Sequence, residues 1–569
     1  MPTPQPSSSQ GEYNDDHDAE IVSASREDEP LLGSRTRRSD SGLEDATKDG
    51  EDGHLVETTR VRVYGLGDDP PKNSEKRQLG LASAVFLIFN RVIGTGIFAT
   101  PSMILRSSGS VGMSLVMWLL GATVAACGTA VFVELGTGLP RNGGEKNYLE
   151  FIYRRPRFLA ITVYATFAIL NGWEAATSNV FGEYVLHTID PEHPASPAAT
   201  RVASMCCITV AFLLHGTNLK WGLRVQNALG ATKLFILVGI ALTGLGVLVQ
   251  APGFHLEHRP HNLRWSTMWE GSGSGGANAF VTGLYSVIWS FIGYSNANYA
   301  LSEIRDPIRT IKLAAPLAMF SITIVYMLVN IAYYAVVDKQ EILGSGRIIA
   351  ALFFGKVWGI WTERVLSTIV AISCMGNVLA VLFSQGRVIQ ELGREGVIPF
   401  SSFFASNKPF DAPLAGLFAQ WVMTGILVTS VPPGDAYQFM LNSSSYPGAI
   451  INTLVSGGLL ALHSTGLAKA YDWNPPFKAY YPVVVFFFLS NIFLLIMPLV
   501  PPALGRGPYE HLPYWLHVFT GLGIVSIGLV YWFVVYKWLP RRGGYKIVRE
   551  RVIHEDGVAR GVLKKVPVL

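Results

Sequence analysis

Charged residues are scarce in this sequence, where Asp, Glu, Lys and Arg make up 15% of 569 residues. A soluble protein of this length would carry roughly 25%. The charges lie near the two ends of the chain and in short segments between long apolar runs, and 49% of all residues are hydrophobic. This distribution is typical of a protein that crosses a lipid bilayer several times, because the hydrocarbon core excludes charge.

Cysteine is also scarce, and all four cysteines fall inside apolar runs rather than in loops. The sequence therefore predicts neither a disulfide framework nor a metal site. No nucleotide-binding, metal-binding or nucleophile motif lies in a polar segment, so we expect neither an enzyme nor a cofactor. The net charge of +4 does not indicate nucleic-acid binding, because the basic residues flank apolar runs and suit lipid headgroups.

The first 78 residues have a different composition, with 18 Asp and Glu against 10 Lys and Arg and few aromatic residues. Such a segment cannot bury enough apolar surface to fold, which predicts a disordered acidic tail. Glu27 to Leu32 reads EDEPLL, the pattern of an acidic dileucine sorting signal, although short patterns also arise by chance. Trafficking adaptors and a ubiquitin ligase acting on Lys48, Lys72 or Lys76 are the predicted partners, and simple solubility is the alternative.

From residue 79 onward, twelve apolar runs of membrane length follow one another. Helices are expected, since only helices and closed barrels satisfy the backbone in lipid and the runs lack a barrel's alternation. The predicted spans 1 to 12 are 80–107, 111–138, 158–186, 202–217, 227–250, 278–302, 314–337, 364–386, 412–430, 437–463, 479–499 and 514–537. The predicted domains are a transport core at 79–463, accessory helices at 464–540 and a C-terminal tail at 541–569.

The loops that follow the even-numbered spans hold more lysines and arginines than the loops that follow the odd-numbered spans. By the positive-inside rule, the loops after the even-numbered spans and both termini are predicted to be cytoplasmic. The plasma membrane is the expected location, and a vacuolar or endosomal membrane is the alternative.

Two spans are interrupted at corresponding places in two five-span halves. Span 1 reads FNRVIGTGIFATPS, with Gly94 and Gly96 near its middle, and span 6 reads YSVIWSFIGYSNANYALSE, with Gly293. Interrupted spans at matching positions indicate the substrate site of a transporter built from an inverted repeat. The alternative is that these glycines only allow close helix packing.

A broken helix offers backbone groups to a zwitterionic amino acid. N–H groups at the start of a half-helix suit a carboxylate, and freed carbonyls suit an ammonium group. The predicted carboxylate donors are Thr95, Gly96 and Ile97. The predicted carbonyls are those of Trp289, Ser290 and Ile292. Hydroxyls of the NSSSYPG segment at 442–448 could also line the site, unless they bond to their own helix.

Ionisable residues within the predicted spans are functional candidates, because a charge in the membrane needs a partner or a cavity. Glu174 in span 3 could carry a proton or bind the substrate ammonium, with Arg91 as its counter-ion. Lys233 in span 5 could instead snorkel to the interface. Glu134 and Glu303 lie beside loops, where we expect them to tie helix ends to loop arginines.

Four motifs in order, GTGIF, ELGTGLPRNGGEKNYL, SEIRDP and GRVIQELGREGVIPFSS, resemble the amino acid–polyamine–organocation superfamily. Within its L-type amino-acid transporter branch, NRVIGTGIFATPS and the acidic tail look most like fungal methionine permeases. The resemblance covers residues 79–540. It implies an all-α membrane protein with twelve transmembrane helices and a leucine-transporter-like 5+5 inverted repeat, in which helices 1 and 6 are broken.

The resemblance also implies roles for single residues. Trp289 matches the family's aromatic gate over the substrate, Tyr294 a second aromatic and Asn298 a polar position one turn later. Lys233 matches a lysine whose ammonium group takes the place of sodium in sodium-independent relatives. The expected function is alternating-access transport of methionine or another neutral L-amino acid without sodium, with proton coupling as an open addition. An amino-acid sensor on the same fold is the alternative.

Overall fold

The computed structural model describes most of the chain from residue 80 onward. The described ranges are 80–140, 143–193, 195–254, 256, 258–274, 276–299, 301, 304–432, 434–502, 507–553 and 559–568. The predicted acidic tail, its dileucine-like motif and lysines, and Glu303 lie outside the described residues.

The described chain is almost entirely helical. The first twelve α-helices, α1 to α12, are Leu81–Val92, Gly96–Ala99, Pro101–Ser108, Val111–Gly138, Glu145–Ile152, Leu159–Leu170, Ala175–Ile189, Pro197–Thr217, Leu219–Leu248, Trp265–Met268, Gly276–Phe291 and Pro307–Val336. The next ten, α13 to α22, are Lys339–Gly344, Ile349–Trp358, Ile360–Arg394, Ser401–Ala405, Leu414–Ser430, Ala436–Leu462, Thr465–Ala470, Tyr481–Ile496, Leu516–Phe533 and Leu539–Gly543. Short 3-10 turns at Asn296–Tyr299 and Met497–Leu499 and a π-turn at Val534–Trp538 complete the helical elements.

Ten helical segments of the described chain are long and apolar enough to cross a membrane. They correspond to all of the predicted spans except 6 and 9. Span 6 coincides with α11, which ends at Phe291 after 16 residues, and span 9 with α17, which has 17. The multi-pass membrane architecture is therefore confirmed, while helices of full membrane length number ten rather than twelve in the described residues.

The third predicted span corresponds to one membrane-crossing segment, Leu159–Ile189, but its helix is interrupted. The chain leaves the helix after Leu170 and re-enters it at Ala175. Gly172 adopts a φ of +56°, a left-handed conformation that glycine tolerates without a steric penalty. An interior NGW sequence that breaks the helix was overlooked because the surrounding residues are strongly apolar.

The C-terminal residues depart from the all-α prediction. Strands β1, Tyr545–Ile553, and β2, Ala559–Pro567, form an antiparallel pair. Strand β1 contains two valines and two isoleucines and β2 two valines, which are β-branched residues that favour strands, whereas only a tail was predicted here from the sequence. The N–H of Leu563 donates to the carbonyl of Glu395 at 2.9 Å, so the hairpin lies against the end of α15.

The long helices pack so that the interrupted ones lie at the centre of the molecule. Helix α12 packs along α4, α9 and α1, while α15 packs along α7 and α9. The side chain of Ser110 caps the start of α4 by accepting from the N–H of Met113 at 3.2 Å. These long helices enclose α1, α2 and α11, whose interruptions form the candidate site.

Candidate functional site at two helix breaks

The first break separates α1 from α2. Residues Ile93 to Thr95 are not helical, and the helix resumes at Gly96. The first N–H of α2 with a backbone acceptor among the described residues is that of Phe98, which donates to the carbonyl of Thr95 at 3.0 Å. The N–H groups before it are the orphan donors of a helix N-terminus, and they belong to the three residues predicted to bind a carboxylate.

The second break ends α11. After Phe291 the chain turns through Ile292 to Ser295, and Gly293 takes a φ of +118°. Side-chain-bearing residues rarely adopt this conformation. The N–H of Ile292 donates to the carbonyl of Trp289 at 3.1 Å. The Tyr326 hydroxyl of α12 donates to the carbonyl of Ser290 at 3.0 Å. Two of the three carbonyls predicted to be free therefore already accept a hydrogen bond.

The two breaks touch each other at glycines. A Cβ atom on Gly96 would lie 2.6 Å from Cβ and 2.7 Å from Cα of Ser290. A Cβ atom on Gly293 would lie 2.7 Å from Cγ of Arg91 and 3.2 Å from its carbonyl carbon. Neither position has room for a side chain, so each glycine allows the backbone of one broken helix to approach the other.

A small cavity of about 30 Å³ lies between the breaks. Four of the predicted substrate-binding residues line it, namely Thr95, Gly96, Trp289 and Ile292. Pockets for small-molecule ligands measure about 300–1,000 Å³. In this conformation the cavity is therefore too small for an amino acid, which could enter only after the surrounding helices or side chains move.

Lys233 reaches the first break from α9. Its ammonium nitrogen donates to the carbonyl of Ile93 at 3.0 Å and to that of Asn90 at 3.4 Å. The side chain is buried, so its charge lies at the break rather than at the membrane surface, as snorkelling would require. The ammonium group thus bonds carbonyls that the interrupted helix leaves without a partner.

Glu174 lies in the third-span interruption, next to the cavity-lining residue Trp173. The carboxylate is buried and accepts a hydrogen bond from the Thr424 hydroxyl at 3.0 Å. Its other oxygen has no hydrogen-bond partner among the described residues. It also interacts electrostatically with Arg91, which lines the cavity. The two charged groups therefore lie near each other at the edge of the site, and their role as counter-ions stays a prediction.

Three predicted substrate-binding residues lie outside the cavity lining. Ile97 is fully buried in the core. The Ser290 hydroxyl lies 2.9 Å from the Ser286 carbonyl and 3.2 Å from the Thr100 hydroxyl, which ties α11 to the first broken helix. The Tyr294 ring packs 5.8 Å from that of Phe132, away from the cavity.

Two polar clusters lie close to the breaks, and one of them is an ion pair. On the side of α7, Arg347 pairs with Glu183 and stacks over the Tyr437 ring at 5.3 Å. On the side of α5, Glu145 accepts from Ser295 at 3.0 Å and from Tyr299, and burial raises the pKa of the Glu145 carboxyl. These contacts tie α7 to Arg347 and α5 to the turn after the second break.

Comparison with known proteins decides the family of this chain. The family model described as "Amino acid permease" matches residues 79–532. This chain belongs to the amino acid permease family. The permease is therefore a transporter rather than an enzyme.

Several permeases and transporters resemble this chain over most of its length. The high-affinity methionine permease of Saccharomyces cerevisiae is 44% identical over 86% of this chain and 84% of its own. The low-affinity methionine permease of the same yeast is 29% identical over 85% and 86% of the two chains. The human Asc-type amino acid transporter 1 is 29% identical over 80% and 83%.

Sequence reasoning missed several residues that line the cavity of this permease. Trp173 and Thr177 come from the interrupted third span, and Asn377 and Val381 come from α15. Asn377 was detectable in principle, since a polar side chain in an apolar span is costly and therefore suspect. Trp173 carried no such signal, because its position follows from the unpredicted break at Gly172.

Two other predictions about the permease can be compared with its contacts. Among the described residues, Glu134 accepts from His463, from Trp473 and from the N–H of Ala479, rather than from the predicted loop arginines. Its role in fixing a helix end stands, although with different partners. In the segment 442–448, Ser445 donates to the carbonyl four residues earlier at 2.8 Å, which was the alternative to lining the site.

Proposed function

We propose that this permease carries methionine, or another neutral L-amino acid, across its membrane by alternating access. The observation that carries the proposal is the meeting of two helix breaks around one cavity. There, N–H donors of α2 and an aromatic side chain, that of Trp289, share a lining. Methionine as substrate is supported by the two yeast methionine permeases among its relatives.

In this proposal the substrate carboxylate binds the N–H groups at Thr95, Gly96 and Ile97. Its ammonium group binds at the second break to the carbonyl of Ile292. This residue lines the cavity, and its carbonyl accepts no loop or turn backbone hydrogen bond in the part of the chain that the structure describes. The thioether packs against Trp289, where sulfur–aromatic contact and burial both favour it. Tyr294, which lies behind the break, supports the turn rather than touching the substrate.

The proposed architecture has twelve membrane helices, with spans 1–5 and 6–10 as inverted repeats and both termini in the cytoplasm. The breaks at the first element of each half support it, since inverted repeats place broken helices at equivalent positions. The short helices α11 and α17 then count as spans, α11 together with the turn that follows it. We propose the plasma membrane as the location.

Lys233 makes transport independent of sodium in this proposal, because its ammonium group occupies the cation position at the first break. Glu174 is the proposed proton carrier. Its buried carboxylate has one oxygen without a partner among the described residues, and such a group is stabilised when it is protonated. An uncoupler should then collapse methionine accumulation, and Glu174→Gln should exchange substrate without accumulating it.

Uptake of radiolabelled methionine in permease-deficient cells tests the proposed function. A panel of unlabelled amino acids should compete in order of apolar side-chain fit, with methionine among the strongest. Binding of methionine without any uptake would contradict transport and favour a sensor. Strong competition by charged amino acids alone would contradict the proposed substrate class.

A further inference from the structure

A second and larger cavity lies on the flank of the molecule, between α4 and α12. It measures about 480 Å³, and its walls include Leu119 and Ala126 of α4 and Phe320 and Thr323 of α12. Leu119 is 55% exposed and Phe320 66% exposed, so the cavity is an open groove on the apolar belt. We call it the flank groove.

The walls of the flank groove are apolar even where threonines line them. The hydroxyls of Thr123, Thr129 and Thr323 each donate to the carbonyl four residues earlier, at 2.9, 2.8 and 2.8 Å. Because these hydroxyls are occupied by their own helices, they present methyl groups to the groove. The flank groove therefore suits a hydrocarbon chain rather than a polar ligand.

The length of the flank groove matches one leaflet of a bilayer. Along α12 its lining runs from Lys312 to Thr323, which at about 1.5 Å per residue is about 16 Å. The hydrocarbon core of a bilayer is about 30 Å thick, so one leaflet measures about 15 Å. An acyl chain could thus lie along the groove from the membrane surface to its midplane.

The surface end of the flank groove is cationic. Lys312 lines it, and its ammonium group donates to the carbonyl of Pro476 at 2.8 Å. An ammonium group has three donors, so two remain for another acceptor. Phe477 also lines the groove, and the exposed Lys478 follows it directly. One lysine therefore lines this end of the groove, and a second follows a lining residue directly in the chain.

We call the segment with Phe477 and Lys478 the rim of the flank groove. A buried carboxylate holds this rim in place. Glu134 of α4 accepts from the indole N–H of Trp473 at 3.3 Å and from the backbone N–H of Ala479 at 2.9 Å. These two bonds bracket the rim residues and fix them to the helix that forms one wall. The cationic end is therefore built into the structure.

We propose that the flank groove binds one anionic phospholipid. Its acyl chain lies along α4 and α12, and its phosphate and headgroup bind the ammonium groups of Lys312 and Lys478. The site is separate from the substrate cavity. It borders the helix whose Tyr326 hydroxyl donates to the second break, so a bound lipid would also stiffen the support of the substrate site.

Native mass spectrometry of the purified full-length permease tests this proposal. The protein would be equilibrated with phosphatidylserine, with phosphatidylcholine and with ergosterol, and the retained lipid counted. We expect phosphatidylserine to be retained most. Lys312→Gln should lower its retention about five-fold, as expected for one cation near a lipid headgroup, whereas Lys312→Arg should keep it.

Two further variants separate the groove from general surface charge. Ala126→Phe fills the groove without changing any charge, and should remove the retained phosphatidylserine. Lys220→Gln, which neutralises an exposed lysine at the start of α9, should leave it unchanged. Equal retention by Lys312→Gln and the wild type would overturn the proposal. Retention of ergosterol in preference to phosphatidylserine, lost in Ala126→Phe, would also overturn it.

Discussion

The two helix breaks differ in what stabilises their carbonyls. At the first break the carbonyl of Ile93 accepts from the ammonium group of Lys233 at 3.0 Å. At the second, the carbonyl of Ser290 accepts from the neutral hydroxyl of Tyr326 at 3.0 Å. The carbonyl at the first break is therefore bound by a charged group and the carbonyl at the second by a neutral one. In the proposed mechanism the substrate brings its own ammonium group to the second break.

The breaks also differ in why they need glycine. Gly293 has a φ of +118° and is closely packed against Arg91, so both conformation and space exclude a side chain. At the first break Thr95 has an ordinary φ of −75°, and Gly96 is needed only because Ser290 lies so near. A side chain would therefore strain the second break in two ways and the first in only one.

Removing the fixed cation should have the largest effect. Lys233→Met leaves two buried carbonyls without their donor, and an unsatisfied buried acceptor costs about 1–3 kcal/mol. We expect folded protein at the membrane with no measurable methionine uptake. Radiolabelled uptake and surface labelling check this. Lys356→Met, at an exposed lysine paired with Glu341, is the control that should transport normally.

Adding one methyl group should affect the second break more than the first. Gly293→Ala combines a clash with a backbone conformation that costs about 1–3 kcal/mol for other residues, and should abolish uptake. Gly96→Ala should retain more activity, because it adds only the clash with Ser290. Gly239→Ala in α9, where nothing lies within 4 Å of the added Cβ, should be neutral. Equal losses at both breaks would contradict the difference in strain.

The two aromatic residues of α11 and its turn should contribute unequally. Trp289 lines the cavity, whereas Tyr294 packs against Phe132. Trp289→Ala should raise the KM for methionine about ten-fold, from the loss of apolar burial and sulfur contact. Tyr294→Phe should leave KM nearly unchanged. Concentration-dependent uptake measures both, and a reversed order would move the substrate to the far side of the second break.

The smallest expected effect comes from the link between the breaks. The Tyr326 hydroxyl lies 3.2 Å from the carbonyl of Val92 and 3.0 Å from that of Ser290. Tyr326→Phe removes one hydrogen bond, worth about 1 kcal/mol, and should lower the thermal stability slightly while uptake persists. Complete loss of uptake would mean that the hydroxyl does more than support the two carbonyls.

The sequence predicted the features that follow from residue type and spacing alone. Apolar runs predicted membrane helices, and the matched glycines of spans 1 and 6 predicted both breaks. The sequence did not predict which residues the fold brings together at the cavity. The interruption at Gly172 looked like ordinary helix, so Trp173 was not placed in the cavity. Tyr294 was predicted from the family resemblance and Ser290 for its carbonyl, but the Tyr294 ring packs against Phe132 and the Ser290 carbonyl accepts from Tyr326.

The C-terminal hairpin is a second feature that was not predicted from the sequence. The sequence predicted a cytoplasmic tail at 541–569 and no secondary structure within it. In the fold, Arg560 pairs with Glu391 at 2.6 Å, a residue far away in sequence. Such long-range ion pairs determine structure here and cannot be read from the segment itself.

Sodium replacement tests the central claim most directly, namely that Lys233 provides the fixed cation of the first break. Methionine uptake by the wild type would be measured in sodium medium and in medium where choline replaces sodium. The account predicts the same rate in both media, and no recovery of Lys233→Met by added sodium. A wild-type rate that falls when sodium is removed would contradict it.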